Sequence, residues 1–512
     1  MKFHKCINFD NQQIKIKFLI LVLLNFNIIL SFSQETRKID HNSDFMEYDQ
    51  NLANGAYRLL RNVVFRHEGA IMYCDSAYYY SDNNSLDAFD SVYINQGDTL
   101  HLYGDFLHYD GNTRMANVRK NVRLYSKETR LITEALDFDL RTSVGYYVSY
   151  ADIVNGENKL NSKEGYYYSS KKMYFFRDSV VIINPSYTIY SDTLKYNTVT
   201  NVAFFLGPTE IISDSNYIYC EDGWYNTETD ISLLKDNAFL RNTNQTLKGD
   251  SLYYERDVGY GEAYQNVELF DNEQNIILKG NYATYNEITE DALLTDKAML
   301  IQITDPDSIY IHADTLISEI DTSGYKILKG FHKVKMFKSN LQGKCDSMAY
   351  SFSDSVIRLF HEPVLWKDQN QLTSDYMEIW TKNKDIDQLH LLGLAFIISR
   401  EDTAKYNQIK GRKMICYFRD NNLYKVDVKG NGQTIYYPKD EDEIIGVNKA
   451  ESSDLVIYLE GKDVKEIMFY KKPDATLYPL ESAPRNELKL KDFIWLEHLR
   501  PLKKEDIFTW IE

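Results

Sequence analysis

A repeat with a period near 29 residues runs through almost the whole chain and constrains its fold more than any other feature. Segment 247–254, with the sequence LKGDSLYY, contains an aliphatic residue, a small residue two positions later, and then a usually acidic position. The acidic column falls at Asp44, Asp75, Asp105, Glu134, Lys163, Asp192, Glu221, Asp250, Asn281, Asp314, Asp346, Asp375, Arg412 and Glu451. Periodicity of this length predicts a repeat architecture, in which each unit stacks on its neighbour.

The columns of the repeat predict β-hairpins. The aliphatic and small residues lie two positions apart, so their side chains share one face of a strand. Twenty residues after the small position a second aliphatic column follows, and Asn, Asp, Gly and Thr between the columns favour turns. Each repeat therefore predicts one hairpin, and the chain a long antiparallel sheet. Beyond the acid the apolar columns change phase, so we interpret the acid as the corner of a bent strand.

The aliphatic columns predict a continuous apolar row on the inner side of the bent sheet. At about 4.8 Å per strand the repeats would stack to roughly 130 Å, a length that suits spanning a gap. A closed core, as in a β-solenoid, is the alternative interpretation of the same row. The residues that would line a groove are Leu102, Leu124, Leu131, Ile153, Leu160, Ile182, Ile189, Ile211, Ile218, Leu240, Leu247, Leu269, Leu278 and Leu300.

The N-terminal segment is typical of an export signal. Residues 1–33 contain several lysines, then the apolar run 18–30, then Ser31, Phe32 and Ser33. This order predicts a cleaved secretory signal peptide, with a mature chain that starts near Gln34. The apolar run is short for a membrane span.

The rest of the chain divides into a repeat region and a tail. Residues 34–471 are predicted to form the repeat domain, divisible into two or three consecutive segments. Residues 472–512 are predicted to be either a cap that covers the last strand or a docking element for a partner. Within this tail Phe493, Leu496 and Leu499 could share one face of a helix.

Composition agrees with an exported all-β chain. The chain has 41 Tyr and 25 Phe, and aromatic residues favour strands. Its net charge of −17 disfavours nucleic acid and anionic membrane surfaces as partners. Cys74, Cys220 and Cys345 occupy one column, several repeats apart, and Cys416 lies in another column. These separations are too large for a disulfide, so free thiols are predicted.

The sequence lacks the common catalytic and metal-binding motifs. It has no His or Cys pair at ligand spacing, no nucleophile elbow and no phosphate-binding loop. We therefore expect no catalytic residue, no metal site and no cofactor. The acidic column could bind Ca²⁺, but a corner Asp that bonds its own backbone explains this column more simply.

The pattern of the repeat resembles the OstA/LptA family of lipopolysaccharide transport proteins. The resemblance rests on LYGDFLHY at 102–109, on MANV at 115–118 leading to Val122 and Leu124, and on LRNVVF at 60–65, which is similar to the family's recurring G-N-V phrase. It extends over about residues 40–470. It implies a bent antiparallel sheet, the β-jellyroll or β-taco, with an apolar groove. The chain is several times longer than the small bridge protein of that family.

The resemblance also implies a function without catalysis. Such a protein would bind the acyl chains of lipopolysaccharide in the periplasm and pass them toward the outer membrane, in association with inner- and outer-membrane partners. Its edge strands would pair with other lipopolysaccharide transport proteins, or head to tail with further copies. Two alternatives stay open: a structural or adhesive exported repeat protein with a sealed core, and a β-helix enzyme that acts on polysaccharide.

Overall fold

The computed structural model describes residues 37–48, 55–97, 100–126, 129–305, 307–382, 385–420, 422–441, 443–461, 463–484 and 487–511. The predicted signal peptide lies outside these residues. The chain forms two compact units, and the boundary between them in the sequence falls after Ser149. Both consist of antiparallel strands, and the described residues contain no α-helix. The predicted all-β chain of repeated antiparallel hairpins is thus confirmed.

The first unit contains nine strands among its described residues. They are β1 (Asp40–Asn42), β2 (Phe45–Tyr48), β3 (Tyr57–His67), β4 (Ala70–Tyr80), β5 (Ser85–Gln96), β6 (Leu100–Asp110), β7 (Met115–Ser126), β8 (Thr129–Asp139) and β9 (Val144–Tyr147). From β3 to β8, each strand pairs antiparallel with the next in the sequence. The short strands β1 and β2 both pair with β3.

The second unit continues the pattern with less regular strands, some of which are interrupted at the corner and therefore numbered as two. They are β10 (Ala151–Asn155), β11 (Asn158–Ser162), β12 (Glu164–Tyr168), β13 (Met173–Asn184), β14 (Tyr187–Asn197), β15 (Val202–Ile212), β16 (Tyr217–Asn226), β17 (Ile231–Lys235), β18 (Phe239–Arg241), β19 (Gln245–Lys248), β20 (Ser251–Glu255), β21 (Tyr260–Asp271), β22 (Ile276–Asn286), β23 (Asp291–Thr295), β24 (Met299–Gln302), β25 (Ile309–His312), β26 (Thr315–Ile320), β27 (Lys326–Lys338), β28 (Leu341–Ser351), β29 (Val356–Phe360), β30 (Val364–Lys367), β31 (Asn370–Thr373), β32 (Tyr376–Lys382), β33 (Asp385–Arg400), β34 (Tyr406–Arg419), β35 (Asn422–Tyr436), β36 (Lys439–Asp440), β37 (Glu443–Ile444), β38 (Val447–Glu460), β39 (Asp463–Tyr470) and β40 (Asp474–Tyr478). Strands β36 and β37 form a small hairpin of their own.

Most repeats bend at a pair of residues in the left-handed conformation. In β21 the pair is Gln265 and Asn266, with φ of 54° and 50°, and it lies opposite the single residue Asn281 of β22. Two residues against one make a β-bulge, which bends the strand. Asn and Asp adopt positive φ more readily than most residues. Two consecutive residues with positive φ also occur at 61–62, 90–91, 120–121, 178–179, 236–237, 296–297 and 332–333.

The acidic column lies opposite these pairs, which confirms that it marks the corner. Its carboxylates do not follow the expectation that each would bond its own backbone. In five repeats the carboxylate instead accepts a hydrogen bond from the second residue of a neighbouring left-handed pair. Examples are Asn62 to Asp44 at 2.8 Å, Ser91 to Asp75 at 2.8 Å and Asn266 to Asp250 at 3.0 Å.

The small column is explained by crowding inside the corner. A Cβ on Gly104 would lie 2.3 Å from Val118 Cγ1, and a Cβ on Gly280 would lie 2.7 Å from Leu294 Cδ1. Cys74, Cys220 and Cys345 fill the same column, and they and Cys416 are buried free thiols, as predicted. Burial raises the pKa of Cys220 to about 12, so this thiol is protonated and unreactive at neutral pH.

Candidate functional site

The candidate lining residues are direct cross-strand neighbours. In the second unit the register pairs them one after another, so they form a single row on the inner face, here called the aliphatic row. Its members from Ile153 onward are Ile153, Leu160, Ile182, Ile189, Ile211, Ile218, Leu240, Leu247, Leu269, Leu278 and Leu300. Ile311 and Met336 extend this row.

The first unit has its own stretch of aliphatic row, and it is sealed. Leu102, Leu124 and Leu131 pair in register and are fully buried. Beyond the corner Tyr109 and Phe138 are also buried. The interior of this unit is therefore a packed core, without access from solvent to these side chains.

The aliphatic row becomes accessible in the middle of the second unit. Ile153, Leu160, Ile182 and Ile189 are buried. The next members are only half-buried, and Leu300 is buried again. The half-buried members, which we call the open stretch, are Ile211, Ile218, Leu240, Leu247, Leu269 and Leu278.

The floor of the open stretch stays packed. Leu234, Leu252 and Leu294, which lie beyond the corner, are buried, as are Ala238 and Val267 close to the corner. Gly280 and Leu294 approach closely there, so the two sides of the corner are packed together. The aliphatic side chains farther from the corner are accessible above this apolar floor, and we call this accessible surface the trough.

Tyrosines form the wall opposite the aliphatic row. Tyr225, Tyr254 and Tyr285 occupy one inner row beyond the corner, and small residues such as Gly261 lie between them. Tyr225 and Tyr254 are half-buried, and Tyr285 is 47% exposed. The sequence analysis did not propose this wall, although a Tyr or Phe recurs at one position of the repeat, the fourth after the acid.

Carboxylates of the turns fix the ends of these tyrosines. The Tyr254 hydroxyl donates to Glu287 Oε2 at 2.9 Å, and the Tyr225 hydroxyl donates to Asp230. Burial, the hydrogen bond to Glu287 and the charge of that carboxylate raise the pKa of Tyr254 to about 12. The wall is therefore uncharged at neutral pH and presents ring faces and edges to the trough.

Beyond the open stretch the interior closes again. Met336, Leu365, Leu372 and Ile397 continue the inner face, and they pack with Met377 and others from the opposite halves of the strands in one buried core. The second unit thus contains an open trough beside a sealed core built from the same repeat.

A C-terminal segment, residues 488–500, covers the outer face of this sealed part. The predicted shared helical face of Phe493, Leu496 and Leu499 is wrong, because residues 488–500 form irregular structure and a single 3-10 turn at Glu497–Leu499. The tail does not cover the last strand either. Strand β40 pairs with β38 beyond the predicted boundary at residue 471, and its Leu477 is 60% exposed.

Three buried glutamines hold the C-terminal segment, two of them by its backbone and the third by a side chain. Gln408 donates to the carbonyl of Leu488 at 2.9 Å and accepts from the N–H of Leu490 at 2.8 Å. Gln371 repeats this arrangement six residues later, with Ile494 O at 2.8 Å and the N–H of Leu496 at 2.6 Å. Gln342 accepts from the side chain of Arg500, at 2.7 Å from Nε. The contacts of Gln408 and Gln371 need no particular side chain in the segment, whereas that of Gln342 needs the arginine.

The sequence held a signal for the glutamines that the analysis missed. Gln342, Gln371 and Gln408 all lie three residues before the small position of their repeats, which places them on the outer face. An exposed outer face would not explain why each is almost completely buried.

The described residues offer little chemistry beyond this apolar surface. No group of three His, Cys, Asp or Glu side chains in them is arranged to hold a metal ion. No helix within the same ranges is long and apolar enough to cross a bilayer. The open stretch is thus an accessible apolar surface.

The bent hairpins and their apolar inner row define a β-repeat protein with a partly open interior. The model of the OstA-like protein family matches residues 36–192, 186–250 and 213–302, which together make up just over half of the chain. The chain belongs to this family. A search of curated proteins found no match. The family is one of transport and binding, related to lipid and lipopolysaccharide transport, and it is typically periplasmic.

Proposed function

We propose that this protein is a non-catalytic periplasmic bridge that binds the acyl chains of lipopolysaccharide in the open stretch and passes the lipid toward the outer membrane. The observation that carries the proposal is the accessible run of aliphatic side chains from Ile211 to Leu278, in a family related to this transport. Each methylene group removed from water there contributes about 0.8 kcal/mol. A row of similar side chains gives similar free energies along its length, which favours movement of the lipid.

Photo-crosslinking in cells tests this proposal. A light-activated residue at Leu240 or Leu269 would face the trough, whereas the same residue at Leu124 would lie in the sealed core and at Thr113 in an exposed turn of the first unit. We expect lipopolysaccharide adducts at Leu240 and Leu269, and none at the two control positions. Absence of adducts at both trough positions, in a folded and exported protein, would refute acyl-chain binding there.

The sealed interior of the first unit favours a second function, that of a structural or adhesive repeat protein. Leu102, Leu124 and Leu131 have no exposed surface that a ligand could cover. In that case the open stretch would be a local irregularity without a ligand. The crosslinking experiment separates the two functions, because a structural protein gives no lipid adduct at any of the four positions.

The strands at the ends of the two units provide the surfaces for assembly in this proposal. Both β1 and β2 use one side to pair with β3, and β39 and β40 use one side to pair with β38. Phe45 and Leu477 on these strands are more than half exposed. We expect such strands to pair with transport partners or with further copies, head to tail.

Engineered cysteines test head-to-tail pairing, since the described native thiols are buried. Phe45→Cys combined with Leu477→Cys should give a ladder of disulfide-linked oligomers under mild oxidation. Phe45→Cys combined with Val199→Cys, which lies in an exposed turn, is the control. Equal oligomer formation by the two pairs would contradict edge pairing.

The proposed location requires export of the chain. The predicted cleavage near Gln34 should give a periplasmic protein that lacks residues 1–33. The mass of the protein from a periplasmic extract tests this directly, and a full-length chain in the cytoplasm would contradict it.

A further inference from the structure

The turns that border the open stretch are strongly acidic. On the side of the aliphatic row they span residues 213–216, 242–244 and 272–275, and on the side of the tyrosine wall 227–230, 256–259 and 287–290. Their charged residues include one cation, Arg256, and it lies 3.9 Å from Asp230. Their acids are Asp214, Glu228, Asp230, Asp257, Glu273, Glu287 and Glu290.

Two further cations close to these turns lie on the outer face of the sheet, away from the trough. Arg241, at the end of β18, lies on this face and stacks on the ring of Tyr217 at 5.0 Å. Lys279 lies on the outer face of β22 and pairs with Glu268 at 2.7 Å. A lipid whose acyl chains fill the trough would therefore hold its head group against carboxylates. Like charges placed together oppose binding, and the effect is strongest at low ionic strength.

A divalent cation that bridges the phosphates of a lipid and the carboxylates of the turns would be one way to bind a phosphorylated head group there. Within the described residues, however, no three acidic or other ligand side chains are arranged for a metal. The same turns are rich in groups that suit a sugar. Carboxylates accept hydrogen bonds from hydroxyls, and amides such as Asn244, Asn272 and Asn275 both donate and accept.

We infer that the trough selects acylated glycolipids whose sugars next to the acyl chains carry free hydroxyls, and discriminates against those with several phosphates there. This inference rests on the proposed function, since it assumes that acyl chains occupy the open stretch. The acyl chains supply the affinity, and the acidic turns determine which head group binds. The protein would thus act on lipids already lacking phosphate at these sugars, or receive them after a phosphatase reaction.

Two forms of lipid A with identical acyl chains test the inference. One carries two phosphates and the other has been dephosphorylated, and each competes for the purified full-length exported protein with a fluorescent fatty-acyl probe. We expect the dephosphorylated form to bind about 10-fold more tightly at roughly 10 mM salt, and the difference to fall below about 3-fold near 1 M salt. Addition of Mg²⁺ should leave the preference in place.

Charge reversal locates the effect. Asp257→Lys, Glu273→Lys and Glu290→Lys together change three exposed acids of the turns and should abolish or reverse the preference. Asp82→Lys, Glu441→Lys and Glu481→Lys change the same charge at exposed positions outside these turns, and this control should keep it.

The outcomes distinguish this inference from the proposed function. Equal binding of both lipids, tighter binding of the phosphorylated form, or a preference that Mg²⁺ removes overturns the inference and leaves acyl-chain binding intact. Binding of neither lipid, and of no acyl probe, overturns both. The comparison of the two lipids needs only the unaltered protein, so it decides the question even if the triple variant fails to fold.

Discussion

Gln371 is the central anchor of the C-terminal segment, and replacing it with Leu should release this segment locally. The side chain is completely buried and bonds both Ile494 O and the N–H of Leu496. Leu is close in size and apolar, so the substitution removes the two hydrogen bonds with little change in packing. The N–H of Leu496 would then be half-buried without its acceptor.

The expected cost follows from these two bonds. Leaving a buried donor unsatisfied costs about 1–3 kcal/mol. The carbonyl of Ile494 belongs to an exposed residue and can bond water instead, so it adds little. An increase of about 1–3 kcal/mol in the free energy of the docked segment raises the population of the released state roughly 5- to 150-fold.

Amide hydrogen exchange measures that population residue by residue. Exchange of the Leu496 amide, and of peptides covering residues 487–500, should accelerate by this factor when opening is fast compared with chemical exchange. Gln433→Leu is the matched control, because the Gln433 amide bonds Glu451 instead of the C-terminal segment. An acceleration below about 3-fold in Gln371→Leu, or an equal effect in the control, would refute the idea that the glutamines hold this segment.

Substitutions at three further positions test the corner of the repeat and the pH dependence of stability. Gly280→Ala should destabilise the second unit by about 1–3 kcal/mol in denaturant unfolding, because the added Cβ meets Leu294. Gly261→Ala in the adjacent strand is the control, since its Cβ has room, and it should be neutral or slightly stabilising. Equal effects of the two substitutions would contradict crowding at the corner. Asn121→Ala should cost about 1–2 kcal/mol through its left-handed backbone, and Asn121→Gly should cost less than about 0.5 kcal/mol by the same measurement; a larger loss for Gly would assign the cost to the side chain. Burial lowers the pKa of His312, so the unfolded chain takes up a proton more readily, and stability should fall as the pH drops below about 6.5. In His312→Gln, the stability measured by thermal unfolding should lose this part of its pH dependence. An unchanged pH dependence would contradict the assignment of the effect to His312.

The aliphatic row could be predicted residue by residue from the sequence. Period-two alternation fixes which side chains share a face, and the 29-residue spacing fixes which strands carry the equivalent residue. These two rules are sufficient to place Leu240 beside Leu247, which are cross-strand neighbours in the structure. Accessibility could not be predicted in this way. Leu124 and Leu240 occupy the same column, yet one is buried and the other half-exposed, because exposure depends on how far the two halves of each bent strand diverge.

The corner shows a similar division between local and non-local information. The acid was correctly placed at the bend, since the change of phase in the apolar columns is a property of a single strand. Its bonding partner was wrong, because Asn266 and Asp250 lie on different strands and come together only through the register. The path of the C-terminal segment was also missed, since it depends on contacts between residues such as Gln371 and Ile494 that are far apart in the sequence.

The order of synthesis gives the C-terminal segment a further consequence. Each repeat can pair with the preceding one as soon as it emerges, but the outer face around Trp366, Gln371 and Gln408 stays uncovered until residues 488–500 have been synthesised. A chain that ends before Leu488 would leave a fully buried tryptophan and two buried amides facing water. Such a surface favours aggregation and proteolysis. Chains that lack residues 488–500 would therefore be short-lived.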